Sequence, residues 1–397
     1  MFENLTAAPP DAILGLTDAF KKDPNPLKVN LGVGVFKDNQ GQTPVLESVK
    51  TAEARILASA SSKSYMPIGG ASEYAALVQE MILGEEHPVI TGRRIRTAHT
   101  PGGTGGLRVG ADFLRKVRPG ATVWVSRPTW ANHKGIFEAA GFTVKEYAYY
   151  DPASRGLDRE ALLADLGKVS AGDVVVLHVC CHNPSGVDMD DATWREVASL
   201  AARQGWLPFL DFAYQGFGLG IEEDRAGLLA MAETCPELLV ASSFSKNFGL
   251  YQDRTGALSL IAANTAQADT AFSHVEIAIR VNYSNPPAHG GLIVTTILSD
   301  EELREHWIQE LAGMRRRIAD VRAQLVAALK KSGIKTDFSF IQRQKGMFSF
   351  SGLTDEQVAF LREKKSIYIV KGGRMNVAGI TSQNLGYLCA SIREVVG

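Results

Sequence analysis

One lysine lies in an otherwise uncharged, serine-rich segment directly after an apolar run. The segment reads Ser242-Ser-Phe-Ser-Lys-Asn-Phe-Gly249, and its lysine is Lys246. Burial disfavours the ammonium form, so a lysine in such surroundings has a lowered pKa and can act as a nucleophile that forms an imine. Most loop lysines are simply solvent-exposed, so the segment alone leaves both interpretations open.

A carboxylate closes another apolar run. Asp211 ends the run that begins at Trp206, and Tyr214 follows three residues later. A carboxylate at the end of a buried strand is costly unless it meets a cation or a strong hydrogen-bond donor. Asp211 is therefore either part of a polar site, which Tyr214 would share, or the N-cap of a following helix.

Two glycine-containing segments could supply further polar groups. Pro101-Gly-Gly-Thr-Gly-Gly106 precedes a helical pattern and could present backbone N–H groups and a helix N-terminus to a phosphate. His182-Asn-Pro-Ser-Gly186 is a turn signal directly after an apolar run. Each is equally consistent with a plain tight turn.

The motifs of several other classes of site are incomplete in this chain. Ser243–Lys246 fits the S-x-x-K pattern of serine hydrolases, but S-D-N and K-T-G are absent. The frame that starts at Gly103 has Arg108 where a dinucleotide fingerprint needs glycine, and no P-loop ending is present. On a strand, the Cys181 side chain of His178–His182 would point away from the other ligands, and no second ligand pair is nearby, so we expect no metal.

Apolar, β-branched runs alternate with helical patterns along the chain, which predicts an α/β fold with a mostly parallel sheet covered on both faces. In such sheets, ligands bind outside the carboxyl ends of the strands, where the segments above lie. The predicted strands are Thr122–Ser126, Val174–Cys181, Leu207–Asp211, Leu238–Ser242 and Ala257–Ile261. The helical patterns between them include Leu107–Val117 and Ala192–Arg203, the second closed by Gly205.

A long helix is predicted after Ser299–Glu302, which has the pattern of a capping box. Apolar residues then recur at helical spacing: Leu303, Trp307, Leu311, Met314, Ile318, Val321, Leu325 and Leu329. Gly333 is placed to end the helix, and Gly313 interrupts the pattern where the chain could pass between domains. A second box, Thr354–Gln357, predicts another helix.

Composition excludes several classes of protein. The chain has 397 residues, enough for two or three domains of about 150 residues. Its net charge of −1 argues against a nucleic-acid-binding surface. Its apolar runs are far shorter than the ~18 residues of a membrane span, and no export signal is visible. Four cysteines without a CxxC motif fit reduced thiols, so we expect a cytoplasmic protein.

A phosphate cradle, an imine-forming lysine, a buried carboxylate and nearby donors are together the parts of a pyridoxal phosphate site. The chain also resembles the class I aminotransferases of the aspartate/aromatic subgroup over essentially its whole length. The strings that carry the resemblance are Thr100-Pro-Gly-Gly-Thr-Gly, Pro128-Thr-Trp-Ala-Asn-His-Lys134, Cys180-Cys-His-Asn-Pro-Ser-Gly186, Asp211-Phe-Ala-Tyr-Gln-Gly-Phe217, Ser242-Ser-Phe-Ser-Lys-Asn-Phe-Gly249, Tyr283-Ser-Asn-Pro-Pro-Ala-His-Gly290 and Gly373-Arg-Met-Asn-Val-Ala-Gly379.

The resemblance implies the fold type I of pyridoxal-phosphate-dependent transferases and a homodimer with shared active sites. It implies an N-terminal arm at 1–12, a small domain from 13–43 and 314–397, and a large cofactor-binding domain at 44–313. The implied reaction is ping-pong transfer of an amino group between L-aspartate and 2-oxoglutarate, with pyridoxal 5'-phosphate as the cofactor. The alternative is an aromatic amino acid aminotransferase of the same subgroup.

The resemblance also implies the roles of the catalytic residues. Lys246 would carry the imine and move the proton between the substrate α-carbon and the cofactor. Asp211, supported by His133, would keep the pyridine nitrogen protonated. The residues implied around the ring and its phenolic oxygen are Asn183, Tyr214 and Trp130.

The remaining implied contacts are to the phosphate and the substrate. The phosphate would be held by Gly102, Gly103, Thr104, Ser243 and Arg254, with Tyr65 from a second subunit. Arg374 would bind the substrate α-carboxylate, and Arg280 of the other subunit would face the side-chain carboxylate. The residues also expected beside the substrate are Gly34, Trp130 and Asn183.

Some positions bear on substrate choice within the subgroup. Phe36 lies where close relatives often have tyrosine, Gly106 where alanine is common, and Gly372 where serine is more usual. These departures lie near the expected ligand region, so they affect substrate preference more than reaction type. The residues that favour the aspartate branch are Val35, Lys37, Thr43, Thr104 and Asn285.

Overall fold

The computed structural model describes residues 2–7 and 14–397. Its helices are α1 (Leu14–Lys22), α2 (Glu47–Ser59), α3 (Ser72–Leu83), α4 (Pro88–Thr91), α5 (Gly102–Val117), α6 (Asn132–Ala139), α7 (Arg159–Leu166), α8 (Asp191–Gln204), α9 (Ala226–Thr234), α10 (Thr265–Asn282), α11 (Ala288–Leu298), α12 (Glu301–Lys331), α13 (Phe340–Arg343), α14 (Asp355–Lys365) and α15 (Leu385–Val396). Its strands are β1 (Val29–Asn30), β2 (Ile95–Pro101), β3 (Thr122–Arg127), β4 (Thr143–Ala148), β5 (Tyr150–Asp151), β6 (Gly156–Leu157), β7 (Val174–His178), β8 (Leu207–Phe212), β9 (Leu238–Ser243), β10 (Thr255–Ile261), β11 (Phe348–Phe350), β12 (Ile367–Tyr368) and β13 (Arg374–Asn376). Short 3-10 turns lie at Phe2–Asn4, Glu223–Arg225 and Val377–Gly379.

The chain divides into two compact units. The large unit is Pro44–Arg316, and the small unit combines the described residues up to Thr43 with Arg317–Gly397. Of the predicted N-terminal arm, residues 1 and 8–12 lie outside the described residues. Among the described residues, no helix has the length and apolar character needed to cross a membrane.

The large unit contains a seven-stranded sheet with the order β2-β10-β9-β8-β7-β3-β4. Strand β10 is antiparallel to both of its neighbours, and the other adjacent pairs are parallel. Every residue of β7, β9 and β10 is buried. Burial on both faces is why these strands are near-continuous apolar runs, and the predicted mostly parallel α/β sheet is confirmed.

One predicted strand is too long. β7 ends at His178 rather than at Cys181. Beyond it, Cys181 has a φ of +52°, and the backbone N–H groups of Cys181 and His182 donate to the Asp188 carboxylate. These residues therefore form a loop, and the strand alternation that we assumed for His178–His182 does not apply.

Helix α12 carries the predicted apolar row, and each of its eight predicted core residues is buried. Its start is one residue later than predicted, because the carboxylate of Asp300 accepts from the Leu303 N–H at 2.8 Å while Ser299 caps the end of α11. The helix passes through Gly313 without a break and ends at Lys331, near Gly333 with its φ of +82°.

The small unit contains two short sheets. β1 pairs in parallel with β12, and β11 pairs antiparallel with β13, with Phe350 opposite Arg374. The predicted capping box at Thr354–Gln357 is present at the start of α14. Arg374 is the first residue of β13, so the second sheet fixes the backbone position of this arginine within the small unit.

Candidate active site

The carboxyl ends of the parallel strands in the large unit bring several predicted residues together. Asp211 lies near the end of β8 and is 6% exposed. The His133 Nε2 atom donates to Asp211 Oδ2 at 2.9 Å, and the Thr129 hydroxyl lies 2.7 Å from His133 Nδ1. The next helical turn after β8 begins only at Glu223, so the interpretation of Asp211 as a helix cap is wrong.

The environment keeps the Asp211 carboxylate ionised. Burial raises its pKa, but the hydrogen bond from His133, the electrostatic interaction with that ring and the positive charge of Lys246 outweigh burial, so the pKa lies below its ordinary value. A buried anion of this kind can hold a proton on a basic ring nitrogen placed beside it.

A second buried histidine lies behind this pair. The His178 Nε2 atom is 4.0 Å from Asp211 Oδ2, and the His178 and His133 ring centroids are 5.0 Å apart. Burial and the neighbouring His133 lower the pKa of His178 to about 3, so it is neutral at physiological pH. His182 is engaged elsewhere, since its ring nitrogens lie 2.9 Å from the Ser126 hydroxyl and 2.7 Å from the Ser185 hydroxyl.

Lys246 lies in the loop after β9 and is half-buried. Its Nζ atom is 4.7 Å from the centroid of the Tyr214 ring, so the lysine and the tyrosine of two different predicted segments meet. Burial lowers the pKa of Lys246 to about 8, with a smaller lowering contribution from Arg254 that is opposed by Asp211. The amine therefore loses its proton far more readily than an ordinary lysine, as a nucleophilic lysine must.

The other predicted ring neighbours lie on loops at the same edge of the sheet. Tyr214 and Asn183 are both buried. Trp130 lies just before α6, and its ring meets His133 edge-on, with 5.3 Å between centroids. The predicted ring-contacting residues therefore come from the loops that follow β3, β7, β8 and β9.

The predicted phosphate cradle is a place where backbones approach closely. Helix α5 begins at Gly102, which has a φ of +70°. A Cβ on Gly102 would lie 2.5 Å from Arg254 Nη2, and one on Gly103 would lie 3.0 Å from Ser243 Cβ. A Cβ on Gly256 would lie 2.6 Å from the Ser242 oxygen, so side chains are excluded here.

This geometry suits an anion. The first N–H groups of a helix lack intrahelical partners and carry a partial positive charge, and α5 spans 16 residues from Gly102, with Thr104 in its first turn. The Arg254 guanidinium adds a full positive charge, and it is fixed by hydrogen bonds to the Ser245 hydroxyl at 3.2 Å and the Tyr251 oxygen at 3.1 Å. The residues present therefore fit a phosphate group.

Two predicted residues are on the surface of this chain. Tyr65 is 93% exposed, and Arg280 is exposed in the last turn of α10, where it contacts the Ser284 hydroxyl. The resemblance places both residues at the site of a second subunit, and this placement stays a prediction.

The small unit holds the other predicted substrate residues. Arg374 is buried, donates from Nη2 to the Gly32 oxygen at 2.7 Å, and lies over the Phe348 ring, 4.3 Å from its centroid. A Cβ on Gly34 would lie 2.6 Å from Phe348 Cζ. Phe348 therefore supports both Arg374 and the Gly34 backbone, a role that no sequence signal indicated.

Two of the departures from the subgroup pattern have a local explanation. A Cβ on Gly106 would lie 2.9 Å from the Ala257 oxygen, so α5 packs too closely on β10 for alanine to fit without a shift. Gly372 has a φ of +84°, which disfavours serine there. Phe36 is buried, and the Arg317 guanidinium lies 5.6 Å from its ring centroid. Nothing in the structure explains why phenylalanine replaces tyrosine at position 36.

Comparison with known proteins finds relatives over the whole length of this chain. The model of the family described as aminotransferase class I and II matches residues 26–392. Aspartate aminotransferase of Salmonella typhi is 54% identical over 396 residues, covering 100% of this chain and 100% of that protein. Aromatic-amino-acid aminotransferase of Pseudomonas aeruginosa is 45% identical over 394 residues, covering 99% of this chain and 98% of that protein.

A solved structure matches equally well. Aromatic-amino-acid aminotransferase from Burkholderia pseudomallei, covalently bound to pyridoxal phosphate, superposes with a TM-score of 0.98 at 46% identity and covers 100% of both chains. The predicted family, the fold class and the general activity of an aminotransferase are confirmed by these matches. The chain belongs to the aminotransferase class I and II family.

Proposed function

We propose that this aminotransferase uses pyridoxal 5'-phosphate and transfers the amino group between L-aspartate and 2-oxoglutarate. The observation that carries the proposal is the Lys246 amine, with its pKa near 8, close to Tyr214 and within the influence of Asp211 and Arg254. The full-length relatives named aspartate aminotransferase support the choice of substrate.

Each group in the large unit has a matching part of the cofactor. Bound pyridoxal phosphate supplies an aldehyde that bonds to amines and a protonated ring that accepts electrons. Asp211 would hold the proton on the ring nitrogen, and its hydrogen bond to His133 keeps the carboxylate oriented. The residues proposed to hold the phosphate are Gly102, Gly103, Thr104, Ser243, Arg254 and the partner subunit's Tyr65.

Lys246 has two tasks in the proposed reaction. Its amine would hold the cofactor aldehyde in the resting enzyme, and as a free amine it would accept the proton from the substrate α-carbon and return it to the cofactor. Both tasks need a neutral amine near neutral pH, which burial favours. Tyr214 and Asn183 would donate hydrogen bonds to the phenolic oxygen of the cofactor, and Trp130 would cover the ring.

Substrate binding would use two arginines with different duties. A guanidinium can bind a carboxylate through two parallel hydrogen bonds. Arg374 would bind the α-carboxylate, which every amino acid has, beside the backbone of Gly34. The partner subunit's Arg280 would bind the side-chain carboxylate, which aspartate and glutamate have and aromatic amino acids lack.

An aromatic amino acid aminotransferase is the second candidate. The close structural match to an enzyme with that name favours it. The two activities share the cofactor site and Arg374, so they differ in what surrounds the substrate side chain. Val35, Lys37, Thr43 and Asn285 support the aspartate branch.

The proposed active form is a homodimer. On α10, the apolar side chains of Ile277 and Val281 are exposed beside Arg280, and Leu57 of α2 is exposed as well. Exposed apolar surface of this kind is typical of a protein interface. A second copy would cover it and would bring Tyr65 and Arg280 of each chain to the other chain's site.

The proposed location of the enzyme is the cytoplasm. The described cysteines form no disulfide and are all buried: Cys180, Cys181, Cys235 and Cys389. Free thiols are stable in a reducing compartment, which supports this location.

The proposal is tested by reducing the purified holoenzyme with borohydride and mapping the modified peptide. We expect a visible chromophore that borohydride fixes to Lys246, together with transamination of aspartate. Lys246→Ala should still bind the cofactor through its phosphate and ring contacts, yet lose turnover by more than the ~10²–10⁴-fold typical of general acid–base groups. Label on another lysine, or no chromophore, would refute the proposal.

A further inference from the structure

Lys246 and Tyr214 meet although they lie in two different loops. Lys246 follows β9, Tyr214 follows β8, and 4.7 Å separates the Lys246 Nζ atom from the Tyr214 ring centroid. Neither residue lies in a helix or strand. Contacts outside regular secondary structure must therefore keep the two loops at a fixed distance.

The neighbouring residue Asn247 makes such a contact. Its side chain is 1% exposed, and its Nδ2 atom donates to the backbone oxygen of Gln215 at 3.2 Å. Asn247 is adjacent to Lys246 in sequence and Gln215 is adjacent to Tyr214, so this hydrogen bond joins the two loops directly at the residues beside the proposed catalytic pair.

The loop at Gln215, which accepts this hydrogen bond, is itself held by other contacts. The Gln215 Nε2 atom donates to the backbone oxygens of Met81 and Ile221, both at 2.9 Å. One of these oxygens is in α3 and the other lies further along the same loop. Gln215, whose backbone oxygen accepts the Asn247 hydrogen bond, is therefore held in place by two further hydrogen bonds of its own side chain.

At the other end of this hydrogen bond, the backbone of Asn247 is fixed to helix α12. The Trp307 indole N–H donates to the Asn247 backbone oxygen at 2.8 Å. The Phe248 ring stacks on Trp307, with 4.3 Å between centroids and an angle of 15°. The backbone beside Lys246 is thus held by a long helix, and the Asn247 side chain extends from that support to the loop of Tyr214.

We propose that Asn247 is a positioning residue that holds the Tyr214 phenol against the site of the Lys246–cofactor bond. This inference rests on the proposed function. With the cofactor bound, the Tyr214 hydroxyl would donate a hydrogen bond to its phenolic oxygen, and this oxygen would then attract the proton on the Lys246 nitrogen less strongly. Without the Asn247 hydrogen bond, the Tyr214 loop shifts, and the proton is held more tightly.

The test is Asn247→Leu, which keeps a similar side-chain volume and removes the hydrogen-bond donor. In the holoenzyme, the pH midpoint of the change in the visible chromophore should rise by about one unit. For aspartate, kcat should fall by about tenfold while KM changes less than about threefold, since Arg374 is untouched. If this variant is insoluble, Asn247→Ser, whose hydroxyl is too short to reach Gln215, should give the same direction of shift.

A matched control separates positioning from simple stability. Gln79→Met also replaces a side-chain amide with an apolar group, and it removes a hydrogen bond of 3.1 Å to the Thr97 hydroxyl in the large unit. It should lower the free energy of unfolding and leave the chromophore midpoint and kcat unchanged. An equal midpoint shift in Gln79→Met would overturn the proposal, because the shift would then follow from general destabilisation.

A double-mutant cycle tests whether Asn247 acts through Tyr214. Tyr214→Phe should itself raise the midpoint, and adding Asn247→Leu should raise it little further, because the phenol is already gone. Full additivity, or an unchanged midpoint in Asn247→Leu alone, would overturn this inference and leave the proposed function intact. A wild-type protein without any chromophore would overturn both.

Discussion

At the scale of single residues, the Asp211 carboxylate is held in the site by a hydrogen bond from His133. Its position after an apolar run left two interpretations open, a helix cap and a buried polar site. The deciding partner is His133, which lies far away in the sequence and donates to the Asp211 carboxylate at 2.9 Å. Sequence spacing cannot reveal such a contact, because it depends on the pairing of β3, β7 and β8.

Asp211→Ala should leave the fold intact and reduce kcat for aspartate by at least about a hundredfold, because no anion then holds the ring proton. Asp211→Glu should retain more activity, since the charge is kept while its distance changes. Steady-state kinetics with aspartate and 2-oxoglutarate check the ranking, and urea unfolding checks the fold. Near-wild-type turnover in Asp211→Ala would rule out its role at the ring nitrogen.

The pKa of Lys246 gives a prediction for the cofactor-free chain. The neutral amine reacts with acylating reagents and the ammonium does not, so modification of Lys246 should be half-maximal near pH 8, well below the value for an ordinary lysine. Asp211 raises the pKa of Lys246, so Asp211→Asn should move the midpoint to lower pH. Peptide mapping after timed acylation measures both. A midpoint near that of exposed lysines would contradict the burial argument.

Substitution of Arg280 tests whether the enzyme prefers dicarboxylate substrates. Arg280→Ala should lower kcat/KM for aspartate at least about a hundredfold, because a charge-assisted contact is lost and a substrate carboxylate is left without its partner. For phenylalanine, which has no such charge, the change should stay below about tenfold. Arg374→Ala is the control and should weaken both substrates alike. Equal losses for both substrates in Arg280→Ala would withdraw the dicarboxylate assignment.

At the scale of elements, the sequence predicted the inner strands better than the outer ones. β7, β8, β9 and β10 are near-continuous apolar runs because both faces of the sheet are covered there. β2 and β4 form the two edges of the sheet, and neither was predicted. Edge strands meet fewer neighbours, so their sequences mix polar and apolar residues, and only the complete sheet identifies them.

Site residues at the ends of strands could be predicted from the sequence, whereas those that act through distant contacts could not. The predicted strands and helices identified Lys246, Asp211 and the glycine segment, because these lie where a strand ends or a helix begins. Phe348 and Asn247 act through packing and hydrogen bonds to residues distant in sequence, and their residue types are ordinary. The roles of Arg374 and Arg280 came from the resemblance alone, because a single arginine has no distinguishing local pattern.

The close packing of α5 on β10 should make Gly106→Ala destabilising. Its Cβ would lie 2.9 Å from a backbone oxygen that cannot rotate away, so the expected loss is about 1–3 kcal/mol in the free energy of unfolding. Gly120→Ala, where nothing lies within 4 Å of the added Cβ, is the matched control. Urea unfolding measures both. Equal effects of the two substitutions would show that α5 shifts freely.

At the scale of the whole molecule, the proposed shared site predicts complementation between two inactive variants. When Lys246→Ala and Arg280→Ala chains are mixed and allowed to exchange, a hybrid dimer has both lesions in one site and an intact second site. With random pairing, dicarboxylate activity should recover to about a quarter of the wild-type value. Mixing each variant with itself is the control. A fully active monomer, or no recovery on mixing, would refute the shared site.

The antiparallel direction of β10 affects how the site assembles during folding. Because β10 runs back along β9, with Gly256 opposite Ser243, the loop between them carries both Lys246 and Arg254. The entropy cost of closing a loop grows with its length. Closing the short loop between β9 and β10, which brings Lys246 and Arg254 together, therefore has a small entropy cost. Asp211 and His133 meet only after strands distant in sequence have paired. We therefore expect Lys246 and Arg254 to come together before Asp211 and His133 complete the site.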